Sequence, residues 1–173
     1  MNNKTKITIL SIFIVFIALL LQSTLLNYLA IESVKPDLAL IALIFISIRR
    51  GNVPGQISGF ASGLFQDFIS LPPPVGFYAI IRTIVGFVFG FFEGRLFVDP
   101  VIVPVILVII GTLLKGVLAT VAGIGFGILN TGFELISFKF LIEVIYNAVC
   151  APLIFSLLNR FKSFKISEKE KLL

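Results

Sequence analysis

The chain has 173 residues, is 58% apolar, carries only 13% charged residues and has a formal net charge of +5, with a mean hydropathy of +1.10. Soluble domains carry about 25% charged residues, which argues against a soluble globule, and uninterrupted apolar stretches near ~20 residues predict an all-α polytopic membrane protein rather than a barrel. With one cysteine, Cys150, and no histidine, an internal disulfide, a Cys/His zinc site and a serine–histidine triad are excluded as well.

Six transmembrane helices follow in chain order. The first, about 7–30, comes after Lys4 and Lys6. It is too long for a signal-peptide core and no A-x-A site follows, so it reads as a retained span. Gln22 and Ser23 lie deep in it. The second, about 36–48, would reach only ~20 Å at 1.5 Å per residue, short of a full crossing unless the bilayer thins or the helix extends through 31–35. The third, 53–71, and fourth, 75–93, are joined by SLPPPVGFYA, whose prolines 72–74 force a tight turn. The fifth, 99–126, contains Lys115 and ends in Gly123, Gly125 and Gly127, which favours a frayed or bent end. The sixth, 140–159, carries Glu143 and Asn147. The longest loop, 127–139, holds ordinary loop residues, so 1–173 is a single integral membrane domain without a soluble catalytic or nucleotide-binding unit.

The cations are not spread evenly. With the N-terminus in the cytoplasm, inside segments hold Lys4, Lys6, Arg49, Arg50, Arg95, Arg160, Lys162, Lys165, Lys169 and Lys171, and outside segments hold Lys35 and Lys139. That bias predicts both termini in the cytoplasm and a basic tail against anionic inner-leaflet lipid, which explains the positive charge without nucleic acid. The tail also offers a docking site for a cytoplasmic partner.

Two ridges of small residues step by four. Gly55, Gly59 and Gly63 lead to Asp67 in the third span, and Arg82 leads to Gly86, Gly90 and Gly94 in the fourth. Positions four apart lie nearly above one another on a helix. Folding the hairpin about Pro74–Val75 sets Asp67 level with Arg82, Gly63 with Gly86, Gly59 with Gly90 and Gly55 with Gly94. Small residues let membrane helices approach closely, and an opposite charge on the facing helix offsets the ~2.5–3.5 kcal/mol insertion cost of a buried acid. The expected Asp67–Arg82 pair is either a latch closing the hairpin or the edge of a polar cavity or partner-binding groove. Gln22, Asp67, Arg82, Lys115 and Glu143 are thus the candidate buried polar and charged residues, with Lys115 either snorkelling or meeting Glu143. A phosphate loop and carboxylates paired for acid–base work are both lacking. No enzyme, cofactor or metal is expected.

The order of these features resembles the MreD family of bacterial rod shape-determining membrane proteins. The resemblance rests on Gln22–Ser23 in the first span, Pro36–Asp37 opening the second, basic residues and Gly51, the glycine stretch ending in Asp67, and the later G-F-Y-A. It extends over roughly 15–95 and more loosely beyond. It implies a non-catalytic component of the cell-elongation (rod) complex in the cytoplasmic membrane, maintaining shape by linking peptidoglycan synthesis to the cytoskeleton. Implied partners are MreC, the actin-like MreB, RodA and a class B penicillin-binding protein. It also implies a compact fold like the substrate-binding S components of energy-coupling-factor transporters. An S component of a vitamin transporter is the alternative function. Against it, Ala18 is followed four residues on by Gln22 where such subunits carry a second small residue.

Overall fold

The computed structural model describes residues 3–24, 30–70, 73–95, 99–128 and 137–161. Among the described residues there are six helices: α1 (Asn3–Thr24), α2 (Leu38–Arg50), α3 (Asn52–Ile69), α4 (Phe77–Gly90), α5 (Ile102–Gly125) and α6 (Phe138–Asn159). Of these, α1 from Thr5, α5 and α6 are long and apolar enough to cross a bilayer. The end of the expected first span (25–29), Pro72, most of the 127–139 loop and the basic tail beyond Phe161 lie outside the described residues.

The brevity of α2 has a physical reason other than tilt or thinning. All residues from Ala39 to Ile48 are buried, and α2 packs against each of the other five helices. It is the core of the bundle, and its ~20 Å of backbone is enclosed by protein rather than lipid. Nor does it extend through 31–35. Ile31 and Val34 instead exchange two backbone hydrogen bonds (3.1 and 2.8 Å), with Glu32 and Ser33 at φ 51° and 65°. Positive φ at both central positions is the type I′ pattern, which costs non-glycine residues energy. The turn delivers Lys35, Pro36 and Asp37 to the head of α2.

A single residue, Gly51, connects α2 to α3. Its φ of 81° and ψ of −172° suit glycine alone, and the Glu93 carboxylate occupies the place of a side chain there. The α3–α4 hairpin is the most extensive helix contact in the molecule. Its ridges do meet, but in a different register. Gly55 lies against Gly86, Gly59 against the Arg82 carbonyl, Gly63 against Tyr78 and Ala79, and Gly90 against Asn52. Gly55 was expected opposite Gly94, about two turns further on. Gly94 is outside α4, at φ 72°, with open space around it. α3 stops at Ile69 and α4 begins only at Phe77, and Tyr78 already lies alongside Gly63, so α4 starts level with the body of α3 rather than at its end.

Around α2, side chains from α1, α4, α5 and α6 complete one apolar core: Val15, Val85, Phe89, Val108, Ala151 and Phe155. Phe45 meets Phe155 edge-to-face at 5.2 Å. The outer faces of the helices expose large apolar side chains on every flank, from Phe13 and Phe60 to Val121 and Leu153, as a lipid-facing surface requires.

Candidate functional site

The candidate polar groups gather at one end of the bundle, where α1, α3 and α5 finish and α2, α4 and α6 start. Asp37 is the hub. Its Oδ1 accepts from the Leu40 amide at 3.0 Å and so caps α2. The same oxygen accepts from Arg82 Nη2 at 3.0 Å, and Oδ2 accepts from Lys115 Nζ at 2.8 Å. Lys115 Nζ also donates to Glu143 Oε1. Behind them, Asn147 Oδ1 accepts from the Asp37 amide at 2.7 Å, and Asn147 Nδ2 donates to Thr112 Oγ1 at 3.0 Å. From α1, Gln22 Oε1 accepts from the Ala39 amide at 3.4 Å. Two carboxylates and two cations from α4, α5, α6 and the head of α2 thus form a charge-balanced chain inside the bundle.

The Asp67–Arg82 pair expected from the ridges is not formed. Asp67 is fully buried, and its two oxygens accept from the amides of Gly76 (2.9 Å), Tyr78 (2.8 Å) and Ala79 (3.1 Å). These are orphan donors at the start of α4, where the helix dipole favours an anion. Arg82, one turn further in, reaches across to Asp37. Asp67 therefore does close the hairpin, through backbone rather than through a charge partner. Lys115 does meet Glu143 and does not snorkel.

Gly55, Gly59, Gly63, Gly86 and Gly90 pack α3 against α4 beside this site, and Gly94 does not. A Cβ at Gly55 would lie 2.6 Å from the Gly86 carbonyl and 2.6 Å from Ser47 Oγ on α2. The ridges are filled by each other and by α2, which holds Arg82 at the depth of Asp37. They leave no groove for a third helix along their length.

A cavity of about 400 Å³ opens beside the ion chain, lined by Gln22, Lys35, Asp37, Gln66, Tyr78, Lys115, Lys139 and Glu143 among others. Among the family-motif residues, Gln22, Pro36, Asp37 and Asp67 all lie at this end, and Ser23 lines a neighbouring cavity with Gln22. Pro36 is buried just before the α2 cap. Sequence reasoning placed Asp37 only in a motif and missed its role as hub, along with Thr112 and the contact of Asn147 with Asp37. The available signal was an aspartate after proline at the head of an apolar run, an N-cap pattern.

A helical membrane bundle with an ion chain locked in its interior is the class of protein these features define. The model of the family described as rod shape-determining protein MreD matches residues 3–161. The chain belongs to the MreD family, and so to the membrane proteins of rod-shape determination. No curated protein matches. No solved structure matches, so the likeness to transporter S components rests on family resemblance alone.

Proposed function

We propose that this protein is a non-catalytic scaffold of the rod complex in the bacterial cytoplasmic membrane, with all six helices crossing and both termini cytoplasmic. It would receive the single transmembrane helix of MreC and, through it or directly, hold RodA and a class B penicillin-binding protein in register with MreB. The observation that carries this reading is where small residues remain uncovered. Those of α3 and α4 face inward. A shallow groove of about 370 Å³ between α4 and α5 instead presents Ala122 and Gly125 beside Ile80, Ile84, Val121 and Phe126. A Cβ at Gly125 meets no atom within 4 Å. Small residues on an apolar flank are what a membrane helix needs for close approach.

The test is recovery of partners from native membranes in mild detergent, read by mass spectrometry, for the unmodified chain and for Gly125→Leu. A Cβ at this position meets open space, and a leucine is chosen to obstruct the groove. MreC recovered with the unmodified chain and reduced at least about fivefold with G125L supports the reading; equal recovery from both removes MreC from this groove. Recovery of two ATPases and a coupling subunit would replace it with the transporter reading, which the polar cavity alone favours.

A further inference from the structure

We propose that the exposed turn from Ile31 to Val34 is a strained gate on the cavity at the Asp37 end, which relaxes to widen that cavity. The first argument is conformation. Glu32 and Ser33 stand at φ 51° and 65°. Asparagine and glycine fill two such positions readily, and other residues do so at a cost. Both side chains are exposed, so burial does not compensate for it. Strain of this kind persists where the surrounding structure imposes it, and it collects at ligand clamps and switch regions. A chain that carries Glu-Ser where Asn-Gly would lock the turn departs from local preference at one defined place.

The second argument is what imposes the strain. Two backbone hydrogen bonds between Ile31 and Val34 close the turn. Just beyond it, the ring of Pro36 fixes its own φ. Asp37 is tied by its amide to Asn147 and by its carboxylate to Arg82 and Lys115. The turn is therefore anchored on its C-terminal side to the interior of the bundle, and the strain falls on the two residues outside. Loss of the two backbone bonds lets Glu32 and Ser33 return to negative φ while the ion chain and the α2 cap stay as they are.

The third argument is position. Ser33, Val34 and Lys35 line the cavity. Apart from Asp37, the cap of α2, every other lining residue sits on a helix. The turn is thus the part of the wall that can move without moving a helix. Lys35 also lines the neighbouring cavity of about 280 Å³, together with Gln22 and Gln66. Displacement of the turn therefore opens the partition between the two cavities as well as the rim of the first.

The test uses the purified full chain in a neutral detergent and two cysteine reporters, each in a Cys150→Ser background. Gln66→Cys reports from the cavity wall, and Val75→Cys, exposed ahead of α4, reports from outside it. Labelling by N-ethylmaleimide is timed for each. Glu32→Asn with Ser33→Gly supplies the residues that the turn prefers. It is expected to raise the melting temperature and to slow labelling of Gln66→Cys at least about fivefold, with Val75→Cys unchanged. Ser33→Val, whose branched side chain resists positive φ, is expected to speed labelling of Gln66→Cys by a similar factor. If the valine variant does not fold, the Asn-Gly pair decides alone. An unchanged melting temperature for that pair removes the strain, and unchanged labelling of Gln66→Cys removes the gate. Equal slowing at both reporters places the effect in the whole bundle; each of these three results overturns the proposal. The measurement contains no partner protein, so its failure is separate from failure of the scaffold reading.

Discussion

At the scale of single residues, the Asp37 carboxylate has three partners, Arg82, Lys115 and the Leu40 amide, and of these Lys115 alone also meets Glu143. Asp37→Asn keeps the α2 cap acceptor but leaves Arg82 and Lys115 in the interior with Glu143 as the one remaining anion of the chain. Breaking a buried ion pair from one side costs about 3–5 kcal/mol, because the stranded cation cannot recover its water. Glu143 faces the cavity and its side chain is 12% exposed against 5% for Asp37. Glu143→Gln is expected to cost less, about 1–3 kcal/mol. Thermal unfolding in detergent, followed by thiol reactivity of the half-buried Cys150, orders the two variants; a Glu143 effect as large as the Asp37 effect would remove Asp37 from the hub. Asp67 separates from this network. Asp67→Asn should cost about 0.5–2 kcal/mol, as loss of a helix cap does. The swap Asp67→Arg with Arg82→Asp should be worse than either single change, since the two side chains serve different partners. A rescued swap would restore the direct pair. That Asp67 ends a glycine ridge was legible from spacing. Its true partners were not, because a carboxylate satisfied by backbone amides leaves no complementary residue to find. The long-range partners of Asp37 lie 45, 78 and 110 positions away, distances at which helical periodicity carries no information.

At the scale of elements, the α3–α4 hairpin depends on backbone contact. A methyl at Gly59 meets the Arg82 carbonyl and one at Gly63 meets Tyr78 and Ala79 backbone atoms, none of which is the free end of a side chain. Gly59→Ala and Gly63→Ala are each expected to cost about 1–3 kcal/mol by overpacking, despite alanine's better helix propensity. At Gly125 the same change meets open space and should be neutral or stabilising by up to about 1 kcal/mol. Melting temperatures of the three variants check this; equal shifts at Gly59 and Gly125 would mean the hairpin is not tightly packed. The existence of this interface was readable from the four-residue period. Its register was not, because register depends on where each helix stops. Three prolines announce a turn without saying how many flanking residues leave the helix with them. The short second span has a similar lesson. Its length was visible, but composition cannot distinguish an apolar helix facing lipid from one enclosed by five others.

At the scale of the whole molecule, the enclosure of α2 and the distribution of cations constrain how the bundle sits in the membrane. Arg49 and Arg50 end α2, Arg95 follows α4 and Arg160 follows α6, so these arginines collect at the end opposite Asp37. Arg49 donates to Asn159 at 2.7 Å, which joins the α2 and α6 ends there. Positive residues are retained on the cytoplasmic side, so this end should face the cytoplasm and the cavity should face outward. Alternation of the chain through α5 and α6 then places residue 139 outside and residue 160 inside. Single cysteines at Lys139 and Arg160, each in a Cys150→Ser background, test the arrangement in intact cells with a membrane-impermeant thiol reagent. Lys139→Cys should be labelled from outside, and Arg160→Cys only after the membrane is opened. Labelling of both from outside would mean that α6 does not cross, and the even number of spans would fail with it. The reverse pattern would keep the bundle but turn its cavity toward the cytoplasm, where the Asp37 end would meet the inner leaflet and its anionic lipids. The ion chain itself is indifferent to that choice: its charges are balanced within the protein, so orientation is decided by the arginines at the other end.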